Sequence, residues 1–96
     1  MIYICNAIRR DDEKAEANLA KHAVSFEEAL TCFYDPKQVA FYDPDHSDDE
    51  DRELLIGHSS QGRLLIVSYT LRGRIARLIS ARKATRREAK TYAQGI

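Results

Sequence analysis

The run Arg63-Leu64-Leu65-Ile66-Val67-Ser68-Tyr69-Thr70 constrains the fold more than any other stretch of the chain. It is almost wholly apolar before it alternates, which suits a central strand covered on much of both faces. Short turn signals flank it, Ser60-Gln61-Gly62 before and Leu71-Arg72-Gly73 after. β-prone segments lie beyond each turn, Leu54 to Ser59 upstream and Ile75 to Ala81 downstream. Connections this short join antiparallel neighbours, so the three segments read as a meander. Val39 to Tyr42 adds a short β-prone run. Residues 2–8 read as a first strand that Asn6 and Ala7 weaken.

Three helices complete the pattern. Asp11 or Asp12 can cap a helix running to about His22, with Ala15, Leu19 and His22 as a narrow buried stripe. Asn18 is an uncommon residue for mid-helix and points to a bond with a neighbouring segment. Ser25 and Glu28 fit a capping box, followed by one apolar face of Phe26, Ala29, Leu30 and Phe33. Asp35-Pro36 ends that helix, because a residue before proline is pushed out of the helical region. Thr85 and Glu88 form a second capping box, opening a helix to about Gln94 with Gly95 just past its end. The order β-α-α-β-β-β-β-α gives an α+β class. One antiparallel sheet packs with two N-terminal helices and a C-terminal helix. A chain of 96 residues buries only ~60–65% of its unfolded surface, which fits one domain over residues 1–96.

Formal net charge is zero, yet its distribution is polar. Residues 1–60 carry six Lys or Arg against fourteen Asp or Glu, and residues 61–96 carry nine against one. Such asymmetry suits a face for a polyanion or an acidic partner; the alternative is that the halves neutralise each other on folding. The stretch 43–53 holds seven acids and one Arg. It lacks the glycine and ligand spacing of an EF-hand and reads as a solvated hairpin loop, with a divalent cation site as the alternative. Cys5 and Cys32 fit no metal spacing and are expected to be reduced thiols. No secretory segment and no apolar run of membrane-spanning length is present, so a cytoplasmic protein without membrane contact is expected.

No Gly-rich nucleotide loop, helical zinc spacing or nucleophile elbow occurs, so no cofactor and no metal are expected. What remains is a cationic cluster: Arg72, Arg74, Arg77, Arg82, Lys83, Arg86, Arg87 and Lys90. Regular alternation along the last strand puts Arg77 on the face opposite Arg74 and Arg82. Arg82 and Lys83 end that strand beside a helix N-terminus at Thr85. There guanidinium groups and backbone N–H donors together suit a phosphate. RNA cleavage needs little more. The 2′-OH attacks its own phosphate, while the protein orients it, neutralises charge and moves two protons.

Candidate catalytic residues are Arg82, Arg52, Tyr92, Glu88 and His22; candidate RNA-binding residues are Lys21, Arg63, Arg77, Lys83, Arg86 and Arg87. Each proton carrier has a structural alternative. Glu88 is the third residue of its capping box, Tyr92 can pack on the sheet, and His22 suits a helix C-terminus. His58 is expected to pack within the sheet, and His46 has no evident role.

Three separated motifs follow one another in order along the chain. The first is Lys14, Asn18 and Lys21-His22-Ala23-Val24-Ser25-Phe26-Glu27-Glu28-Ala29. The second is Asp43-Pro44-Asp45-His46-Ser47 with Glu50-Asp51-Arg52, Ile56-Gly57 and Gly62-Arg63-Leu64-Leu65-Ile66-Val67. The third is Ile79-Ser80-Ala81-Arg82-Lys83-Ala84-Thr85-Arg86-Arg87-Glu88 with Tyr92. Together these motifs resemble the BrnT toxins of type II toxin–antitoxin systems, and the resemblance implies a RelE-like fold and a metal-independent endoribonuclease that stops translation. It also implies a BrnA-type antitoxin with a ribbon-helix-helix domain, in a complex of two toxins with two antitoxins. Operator DNA would be bound only through that antitoxin. Position for position it points to Arg52, Arg82 and Tyr92 at the RNA phosphate. Two departures stand out: Ile8-Arg9-Arg10-Asp11 replaces a family stretch containing Trp, and Ala23 replaces a family Gly at a turn that favours positive φ. The rival reading is a non-catalytic RNA- or partner-binding module, including a degenerate toxin kept as a co-repressor.

Overall fold

The computed structural model describes residues 8–9, 12–42, 52–72 and 75–95. Its elements are β1 (Ile8–Arg9), α1 (Asp12–His22), α2 (Phe26–Thr31), β2 (Val39–Tyr42), β3 (Arg52–His58), β4 (Leu64–Arg72), β5 (Ile75–Lys83) and α3 (Arg86–Gln94). A 3-10 turn, Cys32–Tyr34, continues α2. The strands form one sheet in the order β1-β5-β4-β3-β2. β2 to β5 are antiparallel, and β1 joins the β5 edge in parallel through two residues. The expected first strand is observed only at Ile8–Arg9; residues 2–7 lie outside the described residues, as does the acidic stretch 43–51.

The meander forms as its turns dictate. Gly62 adopts φ 79°, and Ser59 and Arg63 close the β3–β4 connection through Ser59 N–H donating to Arg63 O at 2.8 Å. One sheet face carries Leu55, Leu65, Val67, Tyr69, Ala76, Leu78 and Ala81, which pack with Val24, Phe26, Ala29, Cys32 and Phe33 in the main core. Phe33 and Tyr69 meet edge to face at 5.2 Å. α1 and α2 lie over β5 on this side, and α3 packs against β3. The opposite face, called outer below, carries Val39, Ile56 and Ile66, all buried. Gly57 is required for close approach: a Cβ there would stand 3.0 Å from the Cys32 carbonyl oxygen.

Asn18 ties the N-terminal helix to the sheet. Its Nδ2 donates to Ala81 O at 2.8 Å and to Val24 O at 2.9 Å, and its Oδ1 accepts from Ala81 N at 2.9 Å. The buried side of α1 therefore centres on Asn18, 5% exposed, while Leu19 of the expected stripe is 52% exposed. Ala15 and His22 are half-buried at its flanks. The connection to α2 passes through Ala23 at φ 57°, a left-handed conformation that costs a Cβ-bearing residue ~1–2 kcal/mol.

Ser25 caps α2 by accepting from Glu28 N at 3.0 Å. The Glu28 carboxylate, expected to complete the capping box, is bonded to Arg63 and Ser59 instead. At α3 both capping-box bonds are present, and Gly95 closes the helix at φ 69°.

Two substitutions test this frame. Asn18→Ala strands three buried backbone groups, and at ~1 kcal/mol each the loss is about 2–3 kcal/mol, or ~10–20 °C in Tm for a domain this size. Ala23→Gly relieves the left-handed strain and is expected to stabilise by ~0.5–1 kcal/mol after the added freedom of the unfolded glycine. Thermal melts followed by circular dichroism read both.

Candidate nucleic-acid interface

A β-bulge decides which basic residues share a face. β5 pairs with β4 at Ser68↔Ser80 and then at Tyr69↔Leu78, so Ile79 is an extra residue in β5. Ala76, Leu78 and Ala81 all face the core. Arg77, Ser80 and Arg82 therefore share the outer face. Regular alternation had placed Arg77 opposite Arg82, and the bulge overturns that expectation.

Cross-strand register then builds three rows on the outer face. They are Arg52–Thr70–Arg77, Leu54–Ser68–Ser80 and Ile56–Ile66–Arg82. The last row holds the two buried isoleucines. The first two carry two guanidinium groups and three hydroxyls. Arg52 is half-buried and Arg77 exposed, and neither has an ion-pair partner among the described residues.

Arg82 is held in place. Its Nη1 and Nη2 donate to Glu88 Oε1 and Oε2, each at 2.8 Å. Glu88 Oε1 also accepts from Thr85 N at 2.8 Å, so the capping box and the ion pair share one carboxylate. The hydrogen bonds from Arg82 hold the Glu88 carboxyl below its usual range against the opposing effect of burial. The cap uses the N–H groups of Thr85 and Glu88 and leaves those of Arg86 and Arg87, the first two residues of α3, outside its bonds. Lys83, Arg86, Arg87 and Lys90 stand exposed around it.

The β5 edge contributes a second set. Lys14, Ala17, Asn18, Lys21 and His22 of α1 form, with Ile79 and Ser80, an open cleft of about 250 Å³. Ser80 thus connects the outer-face rows to Lys21 and His22. No strand covers this part of β5 among the described residues, because β1 pairs only as far as Arg77.

Arg63 turns away from these groups. It pairs with Glu28, which is 4% exposed, and its Nη2 also donates to Ala23 O at 3.2 Å. The Arg63 hydrogen bonds outweigh burial and hold the Glu28 carboxyl below its usual range.

Tyr92 lies at the far end of α3. Its OH donates to Asp35 Oδ2 at 2.6 Å and lies 3.0 Å from His58 Nδ1. With the phenolic proton given to Asp35, His58 must donate through Nδ1, leaving Nε2 as the acceptor in the neutral ring. His58 is exposed, against the expectation that it packs within the sheet. It sits on the outer side at the end of β3, and its ring meets Tyr92 edge to face at 5.0 Å. α3 is therefore pinned at both ends, by Arg82–Glu88 and by Tyr92–Asp35.

Residues 11–88 match the family described as ribonuclease toxin, BrnT, of type II toxin–antitoxin systems. The chain belongs to the BrnT family. It is also similar to the Brucella abortus ribonuclease toxin BrnT, whose crystal structure it matches with a TM-score of 0.55 at 26% identity, over 82% of this chain and 96% of that one. No match is found among curated proteins. The BrnT match spans every candidate residue except Tyr92. An antitoxin partner follows from membership in a type II toxin family. No helix among the described residues is long and apolar enough to cross a membrane.

The sequence assigns no functional role to Thr70, Asp35 or His58. Thr70 reads as an ordinary strand residue, and Asp35 as half of a helix-ending Asp-Pro pair. Only the packing of α3 across β3 brings Asp35, His58 and Tyr92 together.

The Asp35–Tyr92 bond sets a pH response. Burial works against ionised Asp35, but donors from His58 N, Tyr92 OH and Lys37 N outweigh it and hold the carboxyl below its usual range. Burial and the Asp35 bond push the Tyr92 phenol up to about 12. The carboxylate's contribution is present above its unfolded pKa and is lost as pH falls through the lower folded value. The phenol's contribution is complete below the unfolded value and is lost as pH rises through about 12. Asp35→Asn is expected to flatten the acid limb of the stability curve and to return Tyr92 toward ~10. Ultraviolet tyrosinate titration against Tyr92→Phe measures the second effect.

Proposed function

We propose that this BrnT-family chain is an active, metal-independent endoribonuclease that arrests translation in the cytoplasm. Its outer sheet face takes the RNA backbone. The observation that carries this reading is the bulge at Ile79, which sets Arg77 and Arg82 on one face with Arg52 two strands away. Arg82, Arg77 and Arg52 bind phosphate and neutralise the charge that grows as the 2′-OH attacks. The O2′–P bond forms as the P–O5′ bond breaks; one proton leaves the attacking hydroxyl and one reaches the departing oxygen. One of these protons is assigned to His22, a reading supported by its position with Lys21 and Ser80 in the edge cleft. Lys21, Lys83, Arg86 and Arg87 extend the electrostatic track along the RNA.

Glu88 and Tyr92 act here as positioning residues, the first by orienting Arg82 and the second by pinning α3. Arg63 supports the fold through Glu28. The partner is a BrnA-type antitoxin with a ribbon-helix-helix domain, in a complex of two toxins with two antitoxins, through which operator DNA is reached.

Expression from a tightly controlled promoter, with growth, protein synthesis and cleavage of RNA by purified protein as readouts, tests the reading. Wild type is expected to arrest growth, with rescue by the partner gene. Arg82→Ala should lower the cleavage rate by ~10²-fold, the scale of losing one charge-stabilising donor, while still folding and binding antitoxin. A folded wild type that binds RNA but neither cleaves it nor slows growth would leave the binding-module reading.

A further inference from the structure

The row Arg52–Thr70–Arg77 holds a feature that packing does not account for. Thr70 is 2% exposed, and its Oγ1 is a buried polar atom with no hydrogen-bond partner among the described residues. A buried hydroxyl is normally paired, because an unpaired one has given up its bonds to water with nothing in return. Valine has nearly the same shape and would remove that cost, so the fold alone gives no reason for a hydroxyl here.

Its neighbours suggest one. Thr70 pairs across the sheet with Arg52 on β3 and with Arg77 on β5. All three sit on the outer face, since Leu55, Leu65, Val67, Tyr69 and Leu78 occupy the core face. Strands lie ~4.8 Å apart, so the two arginine backbones are ~10 Å apart with Thr70 midway. Side chains of that length can close on a single tetrahedral anion from both sides. A guanidinium presents N–H donors only, and a threonine hydroxyl adds one more. The combination is three converging donors for phosphate oxygens, two charged and one neutral. Ser68 and Ser80 in the next row continue the polar surface toward Arg82.

We propose that Arg52, Thr70 and Arg77 form a phosphate-binding subsite for single-stranded RNA, with the Thr70 hydroxyl donating directly to a phosphate oxygen. The proposal rests on the outer face being the RNA surface and adds the residue at its centre. At 2% exposure the hydroxyl meets a phosphate only when the side chains around it part, and the unpaired atom then gains its acceptor. From Arg77 to Arg82 is about four strand steps, or ~13 Å, so this subsite and the one at Arg82 hold different phosphates of the same strand.

The test uses the purified chain and a single-stranded oligoribonucleotide made uncleavable by 2′-O-methyl riboses. Affinity is measured by fluorescence anisotropy and stability by thermal melting, for wild type, Thr70→Val, Thr70→Ser and Arg77→Ala. Thr70→Val is expected to melt at or above the wild-type temperature and to bind about tenfold more weakly. Thr70→Ser should bind as wild type does. Arg77→Ala should bind more weakly and shrink the dependence of log affinity on log salt by ~0.7, the value of one phosphate contact on a single strand. Wild-type affinity in Thr70→Val would overturn the subsite while leaving the RNA surface intact. A large loss of stability in Thr70→Val would also overturn it, by showing that the hydroxyl is needed for folding. No binding by the wild type would overturn the outer face as an RNA surface together with the subsite.

Discussion

One carboxamide holds this architecture together. Asn18 of α1 meets the N–H and C=O of Ala81 as a neighbouring strand would, and also donates to Val24 O at the turn between the first two helices. Among the described residues β5 runs past the end of β1, and its next backbone groups have no strand beside them. An unprotected edge of this kind invites pairing with other chains. The amide satisfies it without another strand, and in doing so sets the height and rotation of α1 on the sheet. Lys21 and His22, one turn further along α1, are carried to the β5 edge as a consequence.

The bulge at Ile79 works on the other side of the same strand. It separates the two requirements placed on β5. Ala76, Leu78 and Ala81 must close the core, while Arg77, Ser80 and Arg82 must share the outer face. Without the extra residue, a strand with these side chains would bury one arginine or expose one core position. α3 then divides the outer face. It packs on β3, pinned at Arg82–Glu88 and at Tyr92–Asp35, on the side of the buried isoleucines. The polar rows through Ser68 and Thr70 lie further along the sheet. The outer face is thus a basic, partly hydroxylated sheet surface drawn from β3, β4 and β5.

Much of this was legible in the residues. The apolar run at Leu64–Val67 and its turns specified the meander, and the apolar spacing from Phe26 to Phe33 specified the buried side of α2. Thr85 and Glu88 announced the α3 cap. The bulge was not legible, because Ile79-Ser80 fits regular alternation as well as an insertion and only pairing with Tyr69 decides between them. The exposure of Leu19 has a related cause: helical periodicity favours an apolar residue on the buried side, but the three bonds of Asn18 outrank it. Glu28 carried a double signal. Its position suggested a cap, whereas its partner Arg63 lies 35 residues away in sequence. The same holds for Tyr92 and Asp35, 57 residues apart. Contacts of that range leave no local trace.

The shared outer face is examined most directly by arginine side-chain NMR of the purified chain, following each Nε–H signal as an uncleavable single-stranded RNA is added. Signals of Arg52, Arg77 and Arg82 are expected to move together and saturate at one RNA concentration. Arg63, committed to Glu28, is expected to stay in place. Movement confined to Arg86 and Arg87 with Arg52 and Arg77 unchanged, or a response led by Arg63, would contradict an RNA site on the outer face of the sheet.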